Sequence, residues 1–183
     1  MPASDLRFVL VRESSSRFLP AIQTLYEAAF PVEERRRFEQ LINLLQEPLM
    51  HLQAVVQQNV LAGFLIYWEL DNNLFLEHLA VKPQLRGQGV GQHILQWLLQ
   101  LAYDKQVLLE VEKPTTNLAQ KRIQFYQRAG FTLHAHFNYQ QPPYERNGQP
   151  VPLLLMSKQA INTTELSQMA ALIREKVYEA FYS

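Results

Sequence analysis

Six residues, Arg86-Gly87-Gln88-Gly89-Val90-Gly91, constrain this chain more than any others. They follow an apolar run, Leu74 to Val81, and precede a segment with helical spacing, Ile94 to Leu99. A strand, a glycine-rich turn and a helix start, in that order, make a place for an anion. The N–H groups of a helix's first turn have no partner inside the helix, and the helix dipole favours negative charge there. Glycine lets the backbone come close to a phosphate. Spacing then restricts the phosphate. The Gly-x-Gly-x-x-Gly of dinucleotide sites would need a third glycine where Gln92 stands, and the chain has no Gly-Lys-Ser/Thr of a P-loop. A tight turn without a ligand accounts for one glycine, not for three alternating ones beside an arginine.

The rest of the chain supplies alternating elements. Phe8 to Val11 reads as a first strand. Leu19, Ile22, Tyr26, Ala29 and Phe30 follow helical spacing, and Pro31 stops that helix. The acids Glu33 and Glu34 open a second predicted helix, with Phe38, Leu41, Ile42 and Leu45 on one face and Arg35-Arg36-Arg37 solvated. Met50 to Val56 and Leu61 to Leu70 read as strands around the turn Gln57-Gln58-Asn59, and Asp71-Asn72-Asn73 is a second turn. Val107 to Glu112 is a further strand. Asn117 to Arg128 reads as a helix stopped by Ala129-Gly130, and Phe131 to Tyr139 and Val151 to Met156 as the last strands. Asn162 and Glu165 form a capping-box pattern, and Leu166, Met169, Ile173, Val177 and Phe181 line one stripe of a terminal helix. This order predicts an α/β (α+β) fold: a single mixed, mostly antiparallel sheet flanked by helices on both faces. We expect one domain over residues 1–183, with a core of about 6–158 and an additional helix at about 162–182.

The spacing Arg-x-x-Gly-x-Gly, with Leu79-Ala80-Val81-x-Pro83 before it, resembles motif A of the GNAT superfamily of N-acetyltransferases, in its bacterial type. Ile123 to Phe131, a helix followed by Phe-Tyr-x-x-x-Gly-Phe, resembles motif B of the same superfamily. The two stand in the family's order. The resemblance implies the acyl-CoA N-acyltransferase fold through about Lys158, with the terminal helix as an addition. It implies acetyl-CoA as co-substrate, held by Leu79, Ala80, Val81 and the run Arg86, Gly87, Gln88, Gly89, Val90 and Gly91. It gives Tyr126 the role of protonating the departing CoA thiolate, or of hydrogen-bonding the sulfur. One departure stands at the start of that helix. Many members carry an asparagine seven residues before the tyrosine, where this chain has Ala119. The nearest is Asn117, which either meets the pantetheine arm or caps the helix, with capping favoured.

Acetyl transfer to nitrogen needs a neutral amine, whereas an alkyl ammonium has a pKa of about 10.4. A carboxylate, directly or through water, can take that proton. Two are candidates. Alternation puts Glu77 on the strand face of Leu79 and Val81, with His78 on the other face as a packing residue. Glu110, whose face Glu112 shares, resembles a Leu-Glu-Val element that supplies the base in some members. A solvated or salt-bridged strand-end carboxylate is the plain alternative for each, and a reaction with no dedicated base also stands. The resemblance places the acceptor against the first two helices and the late loop: Phe30, Glu33, Tyr139 and Tyr144, with Tyr67 at the floor. Aromatic walls with an acid suit a small amine with an apolar body.

Composition closes off other classes. Lysine plus arginine equals aspartate plus glutamate at 17 each, so no global field draws in nucleic acid. There are no cysteines, which removes disulfides, a catalytic thiol and thiolate metal sites. The five histidines show no metal-ligand spacing, so no metal is expected. The N-terminal residues have no basic region followed by an apolar one, and no apolar run approaches about 20 residues. The expectation is therefore a cytoplasmic protein without a membrane, monomeric or homodimeric. It would acetylate a primary amine of a small molecule or peptide directly, with no acyl-enzyme. The alternatives are an acyl-CoA-binding sensor without turnover and a nucleotide-binding regulatory domain.

Overall fold

The computed structural model describes residues 5–182; the start of the N-terminal segment read above for a targeting signal lies outside them. The chain forms two compact units: Met1–Glu69 with Leu76–Tyr103, and Leu70–Phe75 with Asp104–Ser183.

The first unit holds β1 (Arg7–Val11), α1 (Leu19–Ala29), α2 (Phe38–Asn43), β2 (Met50–Gln57), most of β3 (Val60–Leu70) and β4 (Asn73–Val81), and α3 (Val90–Leu101). The strands lie in chain order. β1 runs antiparallel to β2 with Val9 opposite Ala54, and β2 antiparallel to β3 with Leu52 opposite Ile66. Gln58 and Asn59 both adopt left-handed φ, 48° and 64°, as a two-residue hairpin turn requires. From Leu61 to Trp68 every residue of β3 is buried, because a helix covers each face. On one face Tyr26 of α1 meets Phe64 edge-on at 5.9 Å. On the other, Trp97 of α3 meets Tyr67 at 6.3 Å and stacks on Phe8 at 4.2 Å.

The second helix is shorter than its acidic start predicts. Val32–Glu34 forms a single 3-10 turn, and α2 begins only at Phe38. Between them the backbone is extended at Arg35 and Arg37. The cause is Arg36, which is 1% exposed rather than solvated. Its N–H donates to the Tyr26 hydroxyl at 2.9 Å, and its side chain turns inward.

The second unit holds β5 (Gln106–Glu112), α4 (Asn117–Arg128), β6 (Thr132–Leu133), β7 (Leu153–Ser157) and α5 (Thr163–Ile173). Its strand order is β5-β7-β6, with both pairings antiparallel. α4 ends in a Schellman motif. The Phe131 N–H donates to the Tyr126 carbonyl at 3.1 Å and the Gly130 N–H to that of Gln127 at 2.9 Å. Gly130 takes φ +86°, a left-handed value that glycine adopts without cost. The predicted strand over 131–139 shrinks to two residues. The chain turns at His134, whose carbonyl accepts from the Phe137 N–H, and returns to pairing only at the Gln141–Val151 bridge. Tyr139 leaves strand register because its ring and hydroxyl are buried within the unit. The capping box at Asn162 and Glu165 forms as read, with both bonds at 3.0 Å. α5 then widens into a π-turn, Arg174–Tyr178, and closes with a 3-10 turn, Glu179–Phe181.

Candidate active site

The glycine turn is built as its sequence suggests. Gly87 and Gly89 take φ +75° and +82°, values that an L side chain disfavours. Gly89 is the N-cap of α3 and offers no side-chain oxygen to the helix. No acidic residue stands in the first turn. The first i→i−4 bond runs from the His93 N–H to the Gly89 carbonyl. The N–H groups of Val90, Gly91 and Gln92 therefore precede the helical ladder, at the positive end of its dipole. A Cβ on Gly87 would meet nothing within 4 Å, and one on Gly89 only the His93 ring at 3.9 Å. The space above the turn is open. Arg86 is exposed and anchored by its Nε, which donates to the Val81 carbonyl at 3.1 Å. A cleft of about 900 Å³ borders the turn on the α1 side, with Lys82 and Arg86 in its wall. A pyrophosphate fits this arrangement: free N–H donors, a local positive field, no competing carboxylate and no side chain in the way. Ala80 and Val81, on the strand leading in, are buried.

Glu77 and Glu110 occupy different settings. The Glu77 side chain is 1% exposed, as is that of Arg36, whose Nε lies 3.5 Å from Glu77 Oε1. The Trp68 indole N–H donates to Oε2 at 2.6 Å, and the Arg36 guanidinium lies 5.7 Å from the Trp68 ring centre. His78 packs edge-on between Tyr26 and Phe30, at 5.0 and 4.3 Å, as a packing histidine should. Strict alternation does not separate it from Glu77, since its Nδ1 lies 3.9 Å from Glu77 Oε1. Its other ring nitrogen lies 3.0 Å from the Glu34 carbonyl. Burial lowers the His78 pKa, against the opposing effect of Glu77. The Arg36–Glu77 pair thus ties the loop before α2 to β4.

Glu110 is partly exposed, on β5 opposite Leu155. The Tyr139 hydroxyl donates to its Oε1, and the Tyr178 hydroxyl to Oε2 at 2.7 Å. Burial, then the Glu110 charge, pushes the Tyr139 phenol well above its ordinary pKa. Tyr144 is buried with its ring 5.1 Å from that of Tyr178. Glu110, Tyr139 and Tyr144 were candidates from the sequence. Tyr178 was not, because it falls off the apolar stripe of the terminal helix. Glu112 pairs instead with Arg122 of α4 at 2.6 Å.

Tyr126 lies on the inner face of α4, 7% exposed, with its ring edge-on to Phe131 at 5.8 Å. Burial pushes its phenol up to about 12, against a smaller opposing effect of Arg122. No hydrogen bond joins its hydroxyl to another described residue. Asn117 does not cap α4. Thr116 does, accepting from the Ala119 N–H at 3.1 Å, and Asn117 stands exposed as the first helical residue. Of the other acceptor-side candidates, Glu33 is exposed and Phe30 half-buried. Tyr67 is 2% exposed and packs between His51 and Trp97. Among the described residues no group of three or more His, Cys, Asp or Glu could hold a metal ion, and no helix is long and apolar enough to cross a membrane.

Residues 18–131, more than half of the chain, match the Acetyltransferase (GNAT) family. A solved structure of a GNAT-family protein from Bacteroides thetaiotaomicron is 30% identical and superposes with a TM-score of 0.85, covering 94% of this chain and 98% of that one. Two further structures share the fold. The ribosomal-protein-S18-alanine N-acetyltransferase of Escherichia coli has 20% identity and a TM-score of 0.59, over 86% of this chain and 97% of its own. Arabidopsis thaliana Naa50, in complex with the bisubstrate analogue CoA-Ac-MVNAL, has 17% identity and a TM-score of 0.61, over 85% and 99%. No curated protein matches the sequence. With the glycine turn, the tyrosine helix and this match in hand, the chain belongs to the GNAT family of acetyltransferases, whose chemistry is acetyl transfer from acetyl-CoA.

Proposed function

We propose that this protein transfers the acetyl group of acetyl-CoA directly to a primary amine of a small molecule or peptide. The observation that carries the reading is the first turn of α3: left-handed glycines at 87 and 89, no side-chain cap and no acid. Those backbone N–H groups would hold the donor's pyrophosphate. Acetyl-CoA supplies an activated thioester, whose carbonyl carbon the amine nitrogen attacks as the carbon–sulfur bond breaks. The N–H groups near Leu79 and Val81 would polarise that carbonyl. Tyr126 would donate its hydroxyl hydrogen bond to the leaving sulfur, and a buried phenol with no hydrogen-bond partner among the described residues supports that role.

For the amine proton, Glu110 is the better of the two carboxylates. Glu77 has a structural partner set in Trp68 and Arg36 and almost no exposure. Glu110 is partly exposed and held in place at both oxygens. Amines near Tyr139, Tyr144 and Glu110 would meet aromatic surface and negative charge. The test is a panel of polyamines, amino acids, lysine peptides and free N-terminal peptides with acetyl-CoA, read by thiol release and by mass of the acetylated amine. Release with one class supports the reading. Saturable acetyl-CoA binding without release from any amine would make the protein an acyl-CoA sensor.

A further inference from the structure

The terminal helix carries a feature that its apolar stripe does not explain. Ile173, Val177 and Tyr178 are all buried, at 1%, 0% and 0% exposure. On an α-helix of about 3.6 residues per turn, Tyr178 would point roughly 140° away from Ile173. The π-turn Arg174–Tyr178 changes this, since its i→i+5 repeat carries Tyr178 round toward the face of Ile173. The Glu179 N–H reaches back to the Arg174 carbonyl and closes that wider turn. A π-turn is rare and, within a helix, occurs frequently at functional sites. Here the displaced side chain is a phenol, and it donates to Glu110 Oε2 at 2.7 Å.

Glu110 then has one phenol on each carboxylate oxygen, Tyr139 on Oε1 and Tyr178 on Oε2. The last torsion of a glutamate side chain is broad, so a free carboxylate rotates easily. Two donors from two separate segments fix its plane. Both donors stand beyond residue 131, where the match to the family ends.

We infer that Tyr178 is a positioning residue for Glu110, and that the terminal helix is present to aim this carboxylate at the acceptor amine. The inference rests on the amine acetyltransferase reading above. The Tyr144 ring, 5.1 Å from that of Tyr178, braces the phenol from the side.

Tyr178→Phe keeps the ring and its packing and removes only the donor. With an amine that the wild type acetylates, we expect kcat/KM for the acceptor to fall about tenfold, the size expected when one charge-assisted hydrogen bond is lost. The KM for acetyl-CoA should not change. In a Glu110→Gln background the same substitution should cost nothing further, since the carboxylate it aims is gone. Equal losses in both backgrounds, or a lower Tm with unchanged acceptor kcat/KM, would overturn the inference and leave Tyr178 as packing. A wild type that acetylates no amine refutes the functional reading instead. The clamp is then judged without turnover, in protein labelled with 13C at the glutamate carboxyl. Tyr178→Phe must shift the Glu110 resonance, and an unmoved resonance overturns it.

Discussion

Glu77→Gln separates a structural carboxylate from a catalytic one. Glutamine matches glutamate in size, and its carbonyl oxygen can still accept from the Trp68 indole. What it removes is the counter-charge of Arg36, and both side chains are 1% exposed. Breaking a buried ion pair from one side leaves a desolvated charge behind, at a cost of about 3–5 kcal/mol. For a chain of this length each kcal/mol lowers Tm by roughly 2–4 °C, so the expected fall is about 6–20 °C. Removing both charges should recover much of it, because no uncompensated buried charge is then left behind. Arg36→Met in the Glu77→Gln background is that variant, and the Arg36 backbone bond to Tyr26 survives in it. Calorimetry on the wild type, both single variants and the double variant measures the coupling. Acetyl-CoA affinity should stay within about threefold in Glu77→Gln, since the proposed pyrophosphate site at residues 87–91 lies elsewhere. A Tm within about 2 °C of the wild type, together with a large loss of kcat, would refute this reasoning and return the proton-accepting role to Glu77.

Three further outcomes follow from the same geometry. Gly89→Val puts a β-branched side chain at φ +82° on the N-cap of α3; acetyl-CoA affinity by calorimetry should weaken at least tenfold, about 1.4 kcal/mol. Tyr126→Phe removes a hydroxyl with no described protein partner, so Tm should hardly move while kcat falls roughly 10²-fold at unchanged acetyl-CoA affinity; an equal loss of stability and binding would mark Tyr126 as packing only. His78, whose pKa burial lowers, favours its neutral form in the folded state, so its contribution is complete above the unfolded value of about 6.5 and declines as pH falls below it; urea titrations from pH 7.5 to 5 should show that decline, and His78→Phe should flatten it.

Much of this was readable because the signals are local. Strand, glycine turn and helix start occupy consecutive residues, and left-handed glycine leaves a direct trace in composition. The capping box at Asn162 and Glu165 and the Ala129-Gly130 stop are equally short-range, and both form as read. What escaped was decided at a distance. Arg35, Arg36 and Arg37 look alike in sequence; only the buried Glu77 and the Tyr26 hydroxyl distinguish the middle one. Thr115, Thr116 and Asn117 are all plausible caps in a row, and the helix start at Asn117 makes Thr116 the one that bonds. Tyr178 lies outside the heptad-like stripe, and a π-turn has no composition of its own. Its place became visible only with Glu110 opposite its hydroxyl. Tyr139 shows the reverse error: the aromatic run 131–139 alternates like a strand, yet the phenol's attraction to Glu110 takes it out of register.

The Tyr126 phenol also bears on how the thiolate leaves. Burial holds this phenol at about 12, above an ordinary thiol at about 8.5, so complete proton transfer from it to a thiolate is uphill. As a proton donor in the full sense it is therefore poor. As a hydrogen-bond donor it is well suited, because its proton is present at any pH near neutrality. Burial, the cause of the raised value, also lowers the local dielectric and strengthens its bond to an anion. In the proposed reaction Tyr126 would then stabilise the departing sulfur without giving up its proton. The nitrogen's proton would go to the Glu110 carboxylate, and the thiolate would take one from solvent as CoA leaves. The two groups need not exchange a proton with each other, so the scheme requires no relay linking Tyr126 to Glu110. Each needs only its own fixed orientation: Tyr126 from the Schellman-stopped end of α4, Glu110 from its two phenols.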